Sequence, residues 1–253
     1  MLQPDGPAAS YVARVQELID EAWQAQSAAI DEAAGIVVDA LAGGGLLHVF
    51  GTGHSHMLAE ELYGRAGGLL PVHAILVPRL MLHEDMVEAT LLERQAELAA
   101  EVLANETLLP GDAMLVISNS GRNGLSVEVA RLARLRGLKV IALTAVAYSA
   151  GLPSRHPDGL HLFDVADVVL NNHGQNGDTC LDLPGSGLRT GPTSTVIGAV
   201  LLNAMMAETI ARLAARGVTP PIMASSNLAS SDDAGQLARL AQAGRRPAPG
   251  QEP

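Results

Sequence analysis

The sequence predicts an α/β fold, a doubly wound five-stranded parallel sheet flanked by helices in a flavodoxin-like three-layer sandwich. Short apolar segments alternate with longer segments of helical periodicity, as in successive βαβ units. Residues 113–117, AMLVI, are apolar without interruption, which is typical of a parallel strand buried on both faces. Apolar residues make up 48% of the 253 residues and aromatic residues only 2%, so aliphatic side chains must build the core.

The first half of the chain predicts two helices and two strands, followed by an acidic helix. Apolar residues at helical spacing, such as Leu18, Ile19 and Ala22, predict one long helix or two stacked helices over 10–42, ending at three glycines. The following elements are a strand over 46–50, a helix over 55–66, a strand over 72–77 between two prolines, and an acidic helix over 86–105.

The second half continues the alternation. Residues 109–112, LPGD, predict a turn before the strand over 113–117. A helix over 124–136 has a basic end, which the helix dipole favours. Further strands are expected over 138–143 and 165–170, and a long helix over 192–216. Residues 171–191 form the longest glycine-rich loop, and long loops are often functional.

These elements form one domain over residues 10–220. Residues 1–9 are expected to be a flexible N-terminus. Residues 221–253 are expected to be a partly disordered C-terminal extension, because they end in the Pro/Gly-rich AGRRPAPGQEP.

The composition excludes several classes of protein. A net charge of −11 with no basic stripe argues against nucleic-acid binding. No uninterrupted apolar stretch of about 18 residues is evident, which argues against a membrane span. Cys180 is the single cysteine, so no intrachain disulfide forms, and the polar start does not resemble a secretory signal. We therefore expect a cytoplasmic protein.

Polar, glycine-bearing segments follow the strands or open a helix at three places: GTGHSH at 51–56, SNSGRN at 118–123 and GPTST at 191–195. We call these three segments the corners. Ligands of open α/β sheets bind at the carboxyl ends of the strands. Free main-chain amides and hydroxyls at a helix start suit an anion without any lysine or arginine. Each Ser or Thr is also a good N-cap, but three such corners at one sheet edge favour a shared anion site.

The three corners resemble the sugar isomerase (SIS) domain. The resemblance rests on HVFGTGHSHMLAEEL, on LVISNSGRNGLSVEVARLARLRGLKVIALT and on GPTSTVIGAVLLNAM, and it covers roughly residues 10–216, most like bacterial proteins with a single SIS domain. The resemblance implies a five-stranded parallel sheet and binding of a phosphorylated sugar. Members include aldose–ketose isomerases, an etherase that is a lyase, and sensors without catalysis.

The resemblance implies that Ser118, Asn119 and Ser120 hold the phosphate and that Ser55 lines the sugar site. The other substrate-binding candidates, drawn from the same corners, are Gly53, Asn123, Ser194 and Thr195. Asn123 departs from the family pattern, in which many members carry Thr. Its amide can still donate a hydrogen bond, but the departure leaves open an anion other than an ordinary sugar phosphate.

Isomerisation needs a base and a proton donor. The segment RLMLHEDMVE, after the second strand, makes Glu84 the first candidate base, with His83 beside it, although these residues also suit the start of an acidic helix. His54 is a candidate for acting on the ring oxygen or a hydroxyl. His54, His56, His83 and Glu84 form a conceivable zinc set, as phosphoheptose isomerases use zinc. No metal motif is present, and we expect no cofactor.

The expected function is binding and isomerisation of a phosphosugar. The alternatives are an etherase-type lyase and a non-catalytic regulator. The long first helix is amphipathic, and SIS domains commonly share sites across dimers, so we expect a homodimer or a dimer-based tetramer.

Overall fold

A five-stranded parallel sheet forms the centre of the computed structural model, which describes residues 6–225 together with Gly235, Ala238 and Gly244. The strands are β1 (Leu47–Gly51), β2 (Val72–Ile75), β3 (Ala113–Ile117), β4 (Lys139–Thr144) and β5 (Val168–Asn171). Their order is β2-β1-β3-β4-β5, and every neighbouring pair is parallel. The predicted fold class is therefore confirmed, and the direction of winding reverses between β1 and β3.

One face of the sheet is covered by three helices: α1 (Pro7–Ala42), α2 (His56–Leu62) and α8 (Ser194–Ala215). Residues 7–42 form a single continuous helix. It begins three residues before the predicted start because Pro7 is well suited to the first helical turn. The expected segments at 1–9 and 221–253 lie largely outside the described residues.

The opposite face carries α3 (Met86–Leu92), α4 (Ala99–Val102), α5 (Gly124–Leu135) and α7 (Leu162–Val165), and α6 (Val146–Ala150) follows β4. The acidic helix predicted over 86–105 is interrupted after Leu92. The main-chain carbonyl of Glu93 accepts a hydrogen bond from Leu125 N (3.2 Å), and a Cβ added at Gly124 would lie 2.8 Å from Arg94 O. The break therefore lets this segment pack tightly against the start of α5.

The loop over 172–191 contains a small antiparallel hairpin that the sequence did not predict. Its strands are β6 (Leu181–Leu183) and β7 (Leu188–Thr190), joined by a turn over 184–187. Three-residue strands around a glycine-rich turn give too little periodicity to be recognised from sequence.

Among the described residues, helix α8 is long and apolar enough to cross a membrane, although Gly198, Asn203 and Glu208 interrupt its apolar sequence as expected. With 22 residues it passes that test of length and composition. Its apolar side chains, including Ile197, Leu201, Leu202 and Met205, are buried in the core beside α1 and the sheet. Packing within the domain therefore accounts for its apolar character.

Candidate functional site

A cavity of about 440 Å³ opens at the carboxyl edge of the sheet, beside the point where the strand order reverses. Every predicted substrate-binding residue lines it: Gly53, Ser55, Ser118, Asn119, Ser120, Asn123, Ser194 and Thr195. The three polar corners therefore meet in one place. The apolar residues Leu58, Leu82, Ile117 and Leu143 also line it.

The two glycines after β1 have separate steric roles. A Cβ added at Gly51 would lie 2.7 Å from Ser55 O, so only glycine allows the chain to fold back this closely. Gly53 has φ +54°, in the left-handed region that glycine adopts without strain. Together they direct Ser55 and His54 into the cavity.

The corner after β3 combines fixed and unpaired groups. Asn119 Oδ1 accepts a hydrogen bond from Asn172 Nδ2 (2.9 Å), and Ser118 Oγ accepts one from Gly121 N (3.2 Å). Among the described residues, none hydrogen-bonds the hydroxyls of Ser55, Ser120 or Thr195. These three hydroxyls, one from each polar segment, are therefore available to a ligand in the cavity.

The start of α8 is already occupied by a carboxylate of the protein itself. Asp178 Oδ1 accepts hydrogen bonds from Thr193 N (3.1 Å) and Ser194 N (2.9 Å), and its Oδ2 accepts one from Ser194 Oγ (2.6 Å). Asp178 adopts φ +53°, which is unusual for a residue other than glycine. Of the two predicted residues here, Thr195 has an unpaired hydroxyl and Ser194 does not.

Two carboxylates of the described residues line the cavity: Asp178 at the start of α8, and Glu93 between the first two corners. Thr52 Oγ1 donates a hydrogen bond to Glu93 Oε2 (3.1 Å). Burial raises the pKa of Glu93 above its ordinary value of 4.5, although hydrogen bonds from Thr52 and Asn123 and the charges of Arg155 and Arg94 act against that rise. A carboxylate with these properties in a cavity is a candidate general base.

The predicted catalytic residues are placed differently from one another. His54 lines the cavity with an exposed imidazole. The side chains of His83 and Glu84 are 63% and 57% exposed and lie outside the cavity lining, next to Leu82, which belongs to it. Asp85 accepts hydrogen bonds from Val87 N and Glu88 N, so this segment opens α3.

The conceivable zinc set does not fit a metal ion. Within the described part of the chain, no three His, Cys, Asp or Glu side chains are close enough to hold one. The ring centroids of His56 and His83 lie 5.8 Å apart. His56 Nδ1 is hydrogen-bonded to the main-chain carbonyl of Gly53, so this nitrogen is already occupied. His54 and Glu84 add no further converging donor.

Glu93 and Asp178 were missed in the sequence. A usable signal existed for Glu93, because it is four residues after Ala89 and three before Ala96, both buried. A carboxylate on an apolar helical stripe is a candidate for a buried functional group. Asp178 gave no such signal beyond its position in the long glycine-rich loop.

Comparisons with known proteins agree with this geometry. A family model of the SIS domain matches residues 10–145. The UPF0309 protein BH0227 of Halalkalibacterium halodurans is 42% identical over 228 residues, which are 90% of this chain and 91% of that protein.

Two solved structures share the fold at low sequence identity. A phosphoheptose isomerase from Francisella tularensis has a TM-score of 0.56 and 18% identity, covering 82% of this chain and 98% of that one. The Vibrio vulnificus NanR protein complexed with ManNAc-6P has a TM-score of 0.51 and 16% identity, and the match covers 84% of this chain and 65% of that one. With the family match and the close relatives, the chain belongs to the SIS domain family and, within it, to the UPF0309 proteins.

Proposed function

We propose that the protein binds a phosphorylated sugar and interconverts its aldose and ketose forms. The observation that carries this proposal is the position of Glu93 in the same cavity as three unpaired hydroxyls. The hydroxyls and the amides at the start of α5 suit a phosphate. The carboxylate suits proton transfer at a carbon next to a carbonyl. The isomerase from Francisella tularensis and the ManNAc-6P complex of NanR support this class of ligand.

In this proposal Ser118, Ser120 and Asn123 position the phosphate, and Ser55 and Thr195 position the sugar hydroxyls. Glu93 removes the proton from the carbon next to the carbonyl, and the electron pair moves to form an enediolate. A proton then passes from the hydroxyl on that carbon to the enediolate oxygen, and the protonated Glu93 returns its proton to the former carbonyl carbon. The mildly basic carboxylate that burial creates is suited to both steps.

His54 is the proposed donor for ring opening. Its imidazole lines the cavity and has no hydrogen-bond partner among the described residues. Glu84 and His83 remain candidates from the sequence alone, and their exposure favours Glu93 as the base.

Two other functions share the same phosphate site. An etherase-type lyase would use Glu93 to remove a proton next to a leaving group. A regulator would bind the phosphosugar without turnover. The desolvated carboxylate in the cavity favours catalysis over regulation, because a sensor needs no base there.

Ser120→Ala tests the phosphate site. We expect it to weaken binding of a phosphosugar about 10- to 100-fold, because a hydrogen bond to a charged group is lost. Candidate ligands come from a thermal-shift screen of phosphosugars, and affinities from titration calorimetry. The control is Ser10→Ala, whose hydroxyl bonds Gly6 O on the exposed side of α1. Failure of every phosphosugar to raise Tm, or unchanged affinity in Ser120→Ala, would contradict the proposal.

We also propose a cytoplasmic homodimer, or a tetramer built from dimers, that uses the outer face of α1. Val12 and Trp23 on this helix are 54% and 55% exposed, although both are large and apolar. Trp23 borders a groove of about 470 Å³ between α1 and α8, where Ile30 and Ala204 add apolar surface. A neighbouring chain that covers this face would bury it.

Trp23→Glu is expected to shift the protein toward monomer, because it puts a charge into the proposed interface. Sedimentation velocity at micromolar concentration measures the shift. Leu135→Glu is the control, since Leu135 is 70% exposed at the end of α5 on the other face of the sheet. A wild-type protein that sediments as a monomer would exclude the dimer.

A further inference from the structure

We propose that Arg94, Arg122 and Arg155, the arginine cluster, form a subsite for a second anionic group on the ligand, a carboxylate or a second phosphate. The proposal rests on the phosphosugar function and narrows its substrate class. It predicts that the preferred ligand carries one negatively charged group beyond the phosphate that the serine-rich corners hold.

Each arginine of the cluster adjoins a residue that lines the cavity. Arg155 Nη1 donates a hydrogen bond to Asn123 Oδ1 (2.8 Å), and Arg155 N donates one to Arg122 O (2.8 Å). Arg122 directly precedes Asn123, and Arg94 directly follows Glu93. The cluster therefore lies beside the cavity, on the side of Asn123 and the proposed base.

The cluster lacks the ion pairs that the protein's other cations make. Within the part of the chain that the structure describes, every lysine and arginine outside the cluster except Arg136 has a carboxylate oxygen within 4.0 Å. Arg122 Nε is buried and has no hydrogen-bond partner there. Among the described residues, none of the three guanidinium groups has a carboxylate oxygen within 4.0 Å, although Glu93 acts on Arg94 and Arg155 at longer range.

Keeping these charges together is unfavourable without an anion. Desolvation, followed by the neighbouring charges of Arg122 and Arg94, lowers the pKa of Arg155, and the nearby carboxylate of Glu93 offsets this only in part. A bound carboxylate or phosphate would relieve this repulsion and accept paired hydrogen bonds from the planar guanidinium groups. It would also fill the hydrogen-bonding capacity of Arg122 Nε.

The opposite end of the cavity is unsuited to a second anion. Asp178 occupies the donors at the start of α8, and its negative charge would repel another anion there. In the proposed function, neutral hydrogen-bond donors at the start of α5 bind the first phosphate. The arginine cluster is therefore the remaining place where a second anionic group would be favourable.

Matched ligand pairs test the proposal by titration calorimetry on the full chain at constant ionic strength. Glucose 6-phosphate and 6-phosphogluconate differ by a carboxylate, and fructose 6-phosphate and fructose 1,6-bisphosphate differ by a phosphate. We expect the wild type to bind the doubly charged member of at least one pair about 10-fold more tightly. The double variant Arg122→Gln/Arg155→Gln is expected to reduce that preference to about 2-fold or less.

Arg136→Gln is the matched control. Arg136 also lacks a carboxylate partner among the described residues, but it lies at the far end of α5, where it donates to Leu103 O (3.1 Å). It should leave the preference unchanged. The subsite would be overturned if the wild type bound both members of each pair with equal affinity. It would also be overturned if the double variant lost the same affinity for both members. Either result would leave phosphosugar binding in place.

Two further outcomes are decisive. If no member of either pair binds and no phosphosugar of the thermal-shift screen raises Tm, the proposed function fails and the subsite fails with it. If the double variant instead dissociates the oligomer in sedimentation velocity, the cluster holds a neighbouring subunit and the subsite is overturned.

Discussion

Glu93→Gln is expected to lower turnover of the phosphosugar by about 10²- to 10⁴-fold, the usual contribution of a positioned general base. The amide has nearly the same shape and can still accept the hydrogen bond from Thr52, but it cannot take a proton. Affinity for the ligand should change little, because the phosphate contacts are untouched.

The matched control is Glu84→Gln, which changes the exposed glutamate nine residues earlier. Turnover and exchange of the substrate proton with solvent, followed by NMR, report on the base directly. Loss of activity in Glu84→Gln with full activity in Glu93→Gln would reverse the two assignments. Full activity in both variants would remove the glutamate mechanism.

The raised pKa of Glu93 also predicts a pH dependence. Turnover needs the ionised carboxylate, so its acidic limb should lie above pH 4.5. Because the folded pKa exceeds the unfolded one, ionisation of Glu93 destabilises the fold as pH rises from about 4.5 through the folded pKa. Glu93→Gln mimics the protonated form, so its stability relative to wild type should rise over this window and then level off.

Residues whose environment is set locally were predictable from the sequence. The continuous apolar run over 113–117 coincides with β3, and the corners at Ser55 and Ser120 meet because parallel strands end at the same edge. The corners carry their own signals, namely glycine, small hydroxyl side chains and a following helix.

Positions set by distant contacts were not predictable, even where, as for Glu93, the apolar spacing marked the residue as a candidate. Glu93 reaches the cavity because the helix breaks after Leu92 to pack against Gly124, a contact that no local pattern encodes. Asp178 reaches the start of α8 through a positive φ in an irregular loop. Glu84 had the right chemistry and the right place in the chain, but the capping of α3 by Asp85 leaves it exposed.

Asp112→Ala is expected to destabilise the protein by about 3–5 kcal/mol, because it leaves several buried donors without an acceptor. Asp112 lies at the amino edge of the sheet and its side chain is 1% exposed. Its Oδ1 accepts from Leu46 N (3.1 Å), and its Oδ2 accepts from Leu109 N (2.9 Å) and pairs with His48 Nε2 (3.0 Å). These bonds join the start of β1 to the turn before β3.

Urea denaturation at pH 7 measures the loss, and Asp167→Ala is the control. Asp167 also accepts a hydrogen bond from a strand amide, Val140 N (2.8 Å), but its side chain is 16% exposed, so the expected cost is about 1 kcal/mol. If Asp112→Ala lowers the free energy of unfolding by no more than the control does, the buried donors have found other acceptors.

Removing the charge of Asp112 and removing that of Glu93 should change the stability of the fold in opposite directions, because the two carboxylates have different partners. Asp112 is surrounded by donors, so its removal costs stability, and at the edge of the sheet opposite the cavity it should leave ligand affinity unchanged in the folded fraction. Burial outweighs the donors around Glu93, so its neutralisation should stabilise the fold and abolish the chemistry. A partly buried carboxylate whose desolvation the fold compensates only in part is the one to expect at a catalytic position.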